Sequence, residues 1–151
     1  MWNPKKYRLG FNPWGLGLFL LIMLPNFVWF VFPAPDDILQ TKSVTPLIDA
    51  IAYVFQLIMA AALCAVINVT RDKPMKRKYQ AGPAACVVLY FSGWLVYDAG
   101  AVNAAVILDL CLAPCGAFLI LALAWKNAPA LLAAVGFTVS HLISTVVNFI
   151  L

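Results

Sequence analysis

Residues 129–151, PALLAAVGFTVSHLISTVVNFIL, are apolar enough to cross a membrane yet carry His141, Ser144, Thr145 and Asn148. Those four fall at i, i+3, i+4 and i+7, which puts them on one face of a helix. Hydrocarbon offers such groups no hydrogen-bond partners, so a lipid-facing helix has no use for the stripe. The stripe is expected to look inward, towards other helices or a cavity. This segment is read as the last of a set of membrane-spanning helices.

The whole composition agrees. The chain of 151 residues is 64% apolar and 11% charged, with a mean hydropathy of +0.93. A net charge of +4 spread over a soluble face would suggest nucleic acid; here the basic residues cluster between apolar runs and read as topology, and no nucleic-acid partner is expected. The four cysteines, Cys64, Cys86, Cys111 and Cys115, lie inside apolar segments and lack disulfide-framework or zinc-site spacing. The basic start followed by a long apolar run lacks a small-residue cleavage site. It reads as a retained first span rather than a signal peptide.

Taken in order, the spans are expected at 14–32, 45–69, 83–99, 104–125 and 129–151. Each is near the ~20 residues needed to cross hydrocarbon. Pro25 interrupts the first span, with Asn26 beside it to supply compensating hydrogen bonds. Pro46 suits the first turn of the second. No linker separates domains, so residues 1–151 read as a single membrane domain. The fold class is therefore all-α: a polytopic integral membrane protein with a bundle of five transmembrane helices.

Lys5, Lys6 and Arg8 precede the first span, and five basic residues lie between Arg71 and Lys78. The fourth loop carries Lys126, the first carries Lys42, and the third carries none. The positive-inside rule then places the N-terminus in the cytoplasm and the C-terminus outside, most simply in the cell membrane. Anionic lipid headgroups are the expected partners of the basic loop from Arg71 to Lys78.

Direction and the 1.5 Å rise give depth. Asn26 and His141 lie roughly 18 Å from the inner ends of their spans, Asp109 about 8 Å below the outer surface, and Asp49, Tyr97 and Asp98 within about a turn of it. Five segments thus carry polar groups into the outer half, whereas the inner half holds little beyond Asn68. Ionisable groups in a bilayer cost about 2.5–3.5 kcal/mol each on insertion scales, so they are rarely idle. The expected ligand site is the pair Asp109 and His141, surrounded by Asp49, Asn26, Tyr97, Asp98 and Trp94. Tyr90, Trp94 and Tyr97 share a face and, with Trp29, would make an aromatic wall for a cation.

The structural alternatives are specific. His141 would hydrogen-bond a neighbouring helix, Asp49 and Asp98 would be interfacial caps, and Gly136, Ser140 and Ser144 would be a close-packing ladder. Cys111 and Cys115 lack other soft ligands and read as core. No metal and no cofactor is expected.

The residue inventory also prunes enzyme classes. The sequence has no Glu and a single His, which excludes Glu-based intramembrane proteolysis, H-E-x-x-H metalloenzymes and multi-histidine oxygenases. Five short spans and five tryptophans resemble the translocator-protein (tryptophan-rich sensory protein) family in size and helix number. That family's tryptophan- and proline-rich signature does not map onto this chain, and no residue is carried over from it. The reading is binding, extending to transport, of a small cationic or amphipathic ligand in a polar cavity of the outer half. The alternative is an accessory subunit whose polar faces pack against a partner membrane protein or a second copy.

Overall fold

The computed structural model describes residues 6–34, 37–70 and 77–151, the first three of the last segment by backbone alone. Five helices make up the fold: α1 (Pro13–Val31), α2 (Pro46–Ala65), α3 (Arg77–Asp98), α4 (Ala104–Ala124) and α5 (Ala128–Phe149). At 1.5 Å per residue they span roughly 28–33 Å. Among the described residues, α1, α2, α4 and α5 are long and apolar enough to cross a membrane. The less apolar α3 carries Gln80, Gly82, Pro83, Ser92 and Gly93. Large apolar side chains such as Phe27, Phe30, Leu47 and Leu57 stand on outer surfaces. Such faces would be a liability in water and are ordinary in hydrocarbon, so the chain has the makeup of a multi-pass membrane protein.

The helix starts follow from local chemistry. Asn12, Asn103 and Asn127 cap α1, α4 and α5, each accepting a backbone N–H of the first turn. Proline stands in the first turn of α1, α2 and α5, where its missing N–H costs nothing. Pro25 lies inside α1, and the Asn26 side chain bonds the Ile22 carbonyl at 3.1 Å beside it.

Helix α4 packs on α3 and α5, and α5 packs on α2. The order α3–α4–α5–α2 is an arc whose ends scarcely touch, and α1 lies across the gap. Small residues let the arc close tightly: Ala113, Ala117 and Ala122 of α4 and Ala130, Ala133 and Ala134 of α5 are buried. The Phe55 ring of α2 lies over Gly136, where an added Cβ would come within 2.6 Å of it.

One end of the bundle is fastened by backbone. Strand β1 (Tyr7–Leu9) pairs antiparallel with β2 (Val66–Asn68), Tyr7 opposite Asn68. The buried Asn127 side chain donates to the carbonyls of Ala62 at 2.8 Å and Val66 at 3.0 Å, and Asn68 donates to the Lys126 carbonyl at 2.9 Å. Lys126 takes φ +50°, the left-handed turn that swings α4 into α5.

This strand end corrects two expectations. The second span was expected over 45–69, but its helix ends at Ala65, because residues 66–68 satisfy their backbone against residues 7–9 rather than along a helix. Residues 7–9, in the N-terminal basic segment, are that partner strand. This end is also not poor in polar groups, since Asn12, Asn68 and Asn127 are all buried there. Helix α3 begins at Arg77 rather than at 83, with Pro83 inside it. Lys5 and most of the basic loop from Arg71 to Lys78 lie outside the described residues.

Candidate functional site

At the opposite end, between α1 and the arc, lies a cavity of about 520 Å³. Its roof is the segment joining α1 to α2, from which Leu39, Thr41 and Ser43 face in. Helix α1 contributes Met23, Asn26 and Trp29; α2 contributes Asp49, Ala52, Tyr53 and Gln56. Tyr90 and Trp94 come from α3, Ile107, Cys111, Pro114 and Phe118 from α4, and Phe137, His141, Ser144 and Asn148 from α5.

A polar network fixes the wall between α2 and α5. Asn148 donates to the Thr45 hydroxyl at 2.6 Å and to the Ser144 carbonyl at 2.8 Å, while its amide oxygen accepts the Val44 N–H at 2.7 Å. Ser144 donates to one carboxylate oxygen of Asp49. The other oxygen accepts no hydrogen bond among the described residues. His141 lies one turn from Ser144, stacked on Phe137 with ring centroids 5.0 Å apart, and Asp49 is the charged group acting on it. Neither imidazole nitrogen has a hydrogen-bond partner among the described residues. The cavity therefore presents a held carboxylate with a free oxygen and an imidazole with free nitrogens.

The facing wall is aromatic. Trp94 stands edge-on to Tyr90 and to Tyr97, and Trp29 tilts against it at 6.3 Å. The Trp94 indole N–H meets no acceptor at hydrogen-bond geometry; the Tyr90 hydroxyl is the polar group within its reach. That hydroxyl accepts from Asn26 at 2.7 Å, which ties α1 to α3.

No protein-family profile, curated protein or solved structure matches the chain. The geometry of the cavity is then the whole basis for a functional reading.

Of the residues singled out in the sequence, Asn26, Asp49, Trp94 and His141 line this one space. Tyr97 is fully buried behind Trp94, and Asp98 is exposed at the end of α3. Asp109 does not line the cavity: its carboxylate lies over Gly93, where an added Cβ would come within 2.2 Å of Oδ2. The acid grouped with His141 is thus Asp49. Cys111 and Cys115 are free, buried thiols, and no cluster of three metal-ligating side chains occurs among the described residues.

Asp37, expected only as part of the loop that ends the first span and not as a site residue, closes the roof. It accepts the Trp29 indole N–H at 2.6 Å and the Tyr97 hydroxyl at 2.5 Å, and it caps the short turn Ile38–Gln40 through the Leu39 N–H. An acid one helix turn or two beyond an interfacial tryptophan was the available signal.

Chemically, the site has the parts to hold a cation or exchange a proton: a carboxylate, an imidazole and indole and phenol faces. It does not have the parts of a serine hydrolase. The Ser144 hydroxyl donates to Asp49 and not to His141, so the serine–histidine pair of such an enzyme is not formed.

Proposed function

We propose that this chain is a five-span membrane protein, N-terminus inside and C-terminus outside, that binds and carries a small cationic or amphipathic ligand in the cavity of its outer half. The observation that supports the reading best is the free Asp49 oxygen beside the unpartnered His141, facing the Trp29–Trp94 wall. A half-buried carboxylate with one oxygen unbonded and a half-buried imidazole with no hydrogen bond among the described residues are costly to keep, and a cation satisfies the first while the aromatic faces replace its lost hydration. In this reading Asp49 holds the charge, His141 adjusts to it by taking or releasing a proton, and Asn26 and Trp94 shape the site. The basic segment from Arg71 to Lys78 faces anionic lipid on the cytoplasmic side.

The test is thermal unfolding of the purified protein in detergent against a panel of ions, amines and amphiphiles. A ligand at about 100 times its dissociation constant stabilises by roughly 2.7 kcal/mol. The stabilisation should vanish in Asp49→Asn and survive in Asp109→Asn. A panel without any stabilising compound would overturn the reading.

A second reading, an accessory subunit, draws on Asp109. This half-buried carboxylate lies within α4, away from the cavity, and makes no hydrogen bond among the described residues. A partner helix bearing a donor would satisfy it. Co-purification of a partner that Asp109→Leu abolishes would favour that role.

A further inference from the structure

We infer that the ligand is a single-chain cationic amphiphile that enters from the bilayer through the seam between α1 and α2, its head at Asp49 and its chain leaving through the seam. The inference rests on the binding role proposed above and adds the ligand's class and its route.

Three observations carry it. First, α1 and α2 are joined closely towards the strand end: Gly15 lies against the Leu63 backbone, and the Asn12 N–H bonds the Cys64 carbonyl at 2.7 Å. Further along, the polar contact across the seam among the described residues is the Gln56 amide hydrogen bond to the Met23 sulfur, a weak acceptor, at 3.7 Å. Second, Tyr53 lines the cavity and is nevertheless 67% exposed on a helix apolar enough to cross a membrane. The cavity wall there is also the lipid-facing surface, so the space opens sideways. The roof, by contrast, is latched twice, by Asp37 to Trp29 and Tyr97 and by Asn148 to Val44.

Third, polarity is graded along the cavity. The roof end holds Asp49, Ser144 and Asn148, whereas Met23, Pro114 and Phe118 line the deeper part, where the Gln56 amide lies against the Met23 sulfur. A water-soluble cation would use only the upper part. A molecule with a cationic head and one alkyl chain uses both, and it keeps its head at the depth where lipid headgroups lie. A bilayer-delivered chain also reaches the seam without crossing the latched roof.

The experiment uses reconstituted protein and a series of alkyltrimethylammonium ions, from tetramethylammonium to the sixteen-carbon chain. Tryptophan fluorescence reads binding, and Trp94→Phe identifies the signal. Affinity, referred to the concentration in the membrane, should hold or rise along the series, since a chain too long for the cavity continues into lipid. A sharp cut-off at intermediate length would overturn the route, because an enclosed pocket rejects what it cannot contain.

The second arm places cysteines at Met23 and Gln56 in a background whose four native cysteines are alanine, and bridges them with a short thiol-reactive crosslinker. Measured against the same cysteine pair left unbridged, bridging should lower sixteen-carbon binding at least tenfold more than it lowers tetramethylammonium binding. Equal loss of both, or loss of neither, would overturn the seam and leave the cavity reading intact. If the unbridged protein binds no member of the series, the cationic-ligand reading falls and this inference falls with it.

Discussion

Ser144 on α5 donates its hydroxyl hydrogen to Asp49 on α2, joining residues 95 apart in sequence at the wall of the cavity. This bond decides where the carboxylate points. Ser144→Ala removes the donor and leaves a half-buried carboxylate with neither oxygen bonded, which should cost about 1–3 kcal/mol of stability. Asp49→Asn retains an acceptor oxygen for Ser144 and should cost less. Chemical or thermal unfolding in one detergent would compare the two, and the double substitution should fall short of their sum, because they share one interaction.

How much of this was legible in the sequence depends on the coordinate in question. The polar stripe of α5 is a matter of helical period, and His141, Ser144 and Asn148 do face one cavity. Azimuth was not legible. Which way Asp49 and Asp109 each point depends on the neighbour each meets, and Gly93 opposite Asp109 is what makes room for that carboxylate between α3 and α4. The strand end was hidden for another reason. Asn127 reaches Ala62 across 65 residues, and neither helical period nor hydropathy encodes such a contact. Three asparagines just before helices were the readable trace of the caps.

Two neighbouring glycines of α1 should behave in opposite ways. A Cβ on Gly15 would stand 2.2 Å from the Leu63 carbonyl oxygen, a backbone atom that cannot rotate aside, whereas Gly17 has nothing within 4 Å. Gly15→Ala should push α1 off α2 and destabilise by about 1–3 kcal/mol or more, as overpacking does. Gly17→Ala should be neutral or stabilising by up to ~1 kcal/mol, since alanine is the better helix former. Unfolding midpoints of the two variants, measured side by side, check the close approach of α1 to α2.

The caps offer a similar comparison. Asn103 satisfies the first-turn N–H groups of Ala105 and Val106 at an exposed position. Asn127 does the same for Ala130 but is buried and also donates to Ala62 and Val66. Asn103→Ala should cost about 1 kcal/mol, the value of an ordinary cap. Asn127→Ala should cost clearly more, about 2–4 kcal/mol, because it also strips the buried Ala62 carbonyl and the half-buried Val66 carbonyl of a donor. Equal losses would mean that Asn127 is only a cap and that the strand end is held by β1 and β2 alone.

The roof should answer to Asp37 without the bundle doing so. Asp37 gathers Trp29, Tyr97 and Leu39 onto one carboxylate, and these bonds join α1, α3 and the connecting segment. Asp37→Ala releases all three, while the packing of α2, α3, α4 and α5 is left in place. The expected result is a global unfolding loss of no more than about 1–3 kcal/mol, as for other lost hydrogen bonds to a charged group. Local opening of the roof should rise much more. A cysteine at Ser43, which faces the cavity, reports it through its rate of modification by a water-soluble thiol reagent. That rate should increase at least tenfold in Asp37→Ala and only slightly in Asp37→Asn, whose amide oxygen still accepts from Trp29. An unchanged rate in Asp37→Ala would show that the Asn148–Val44 latch alone holds the roof closed.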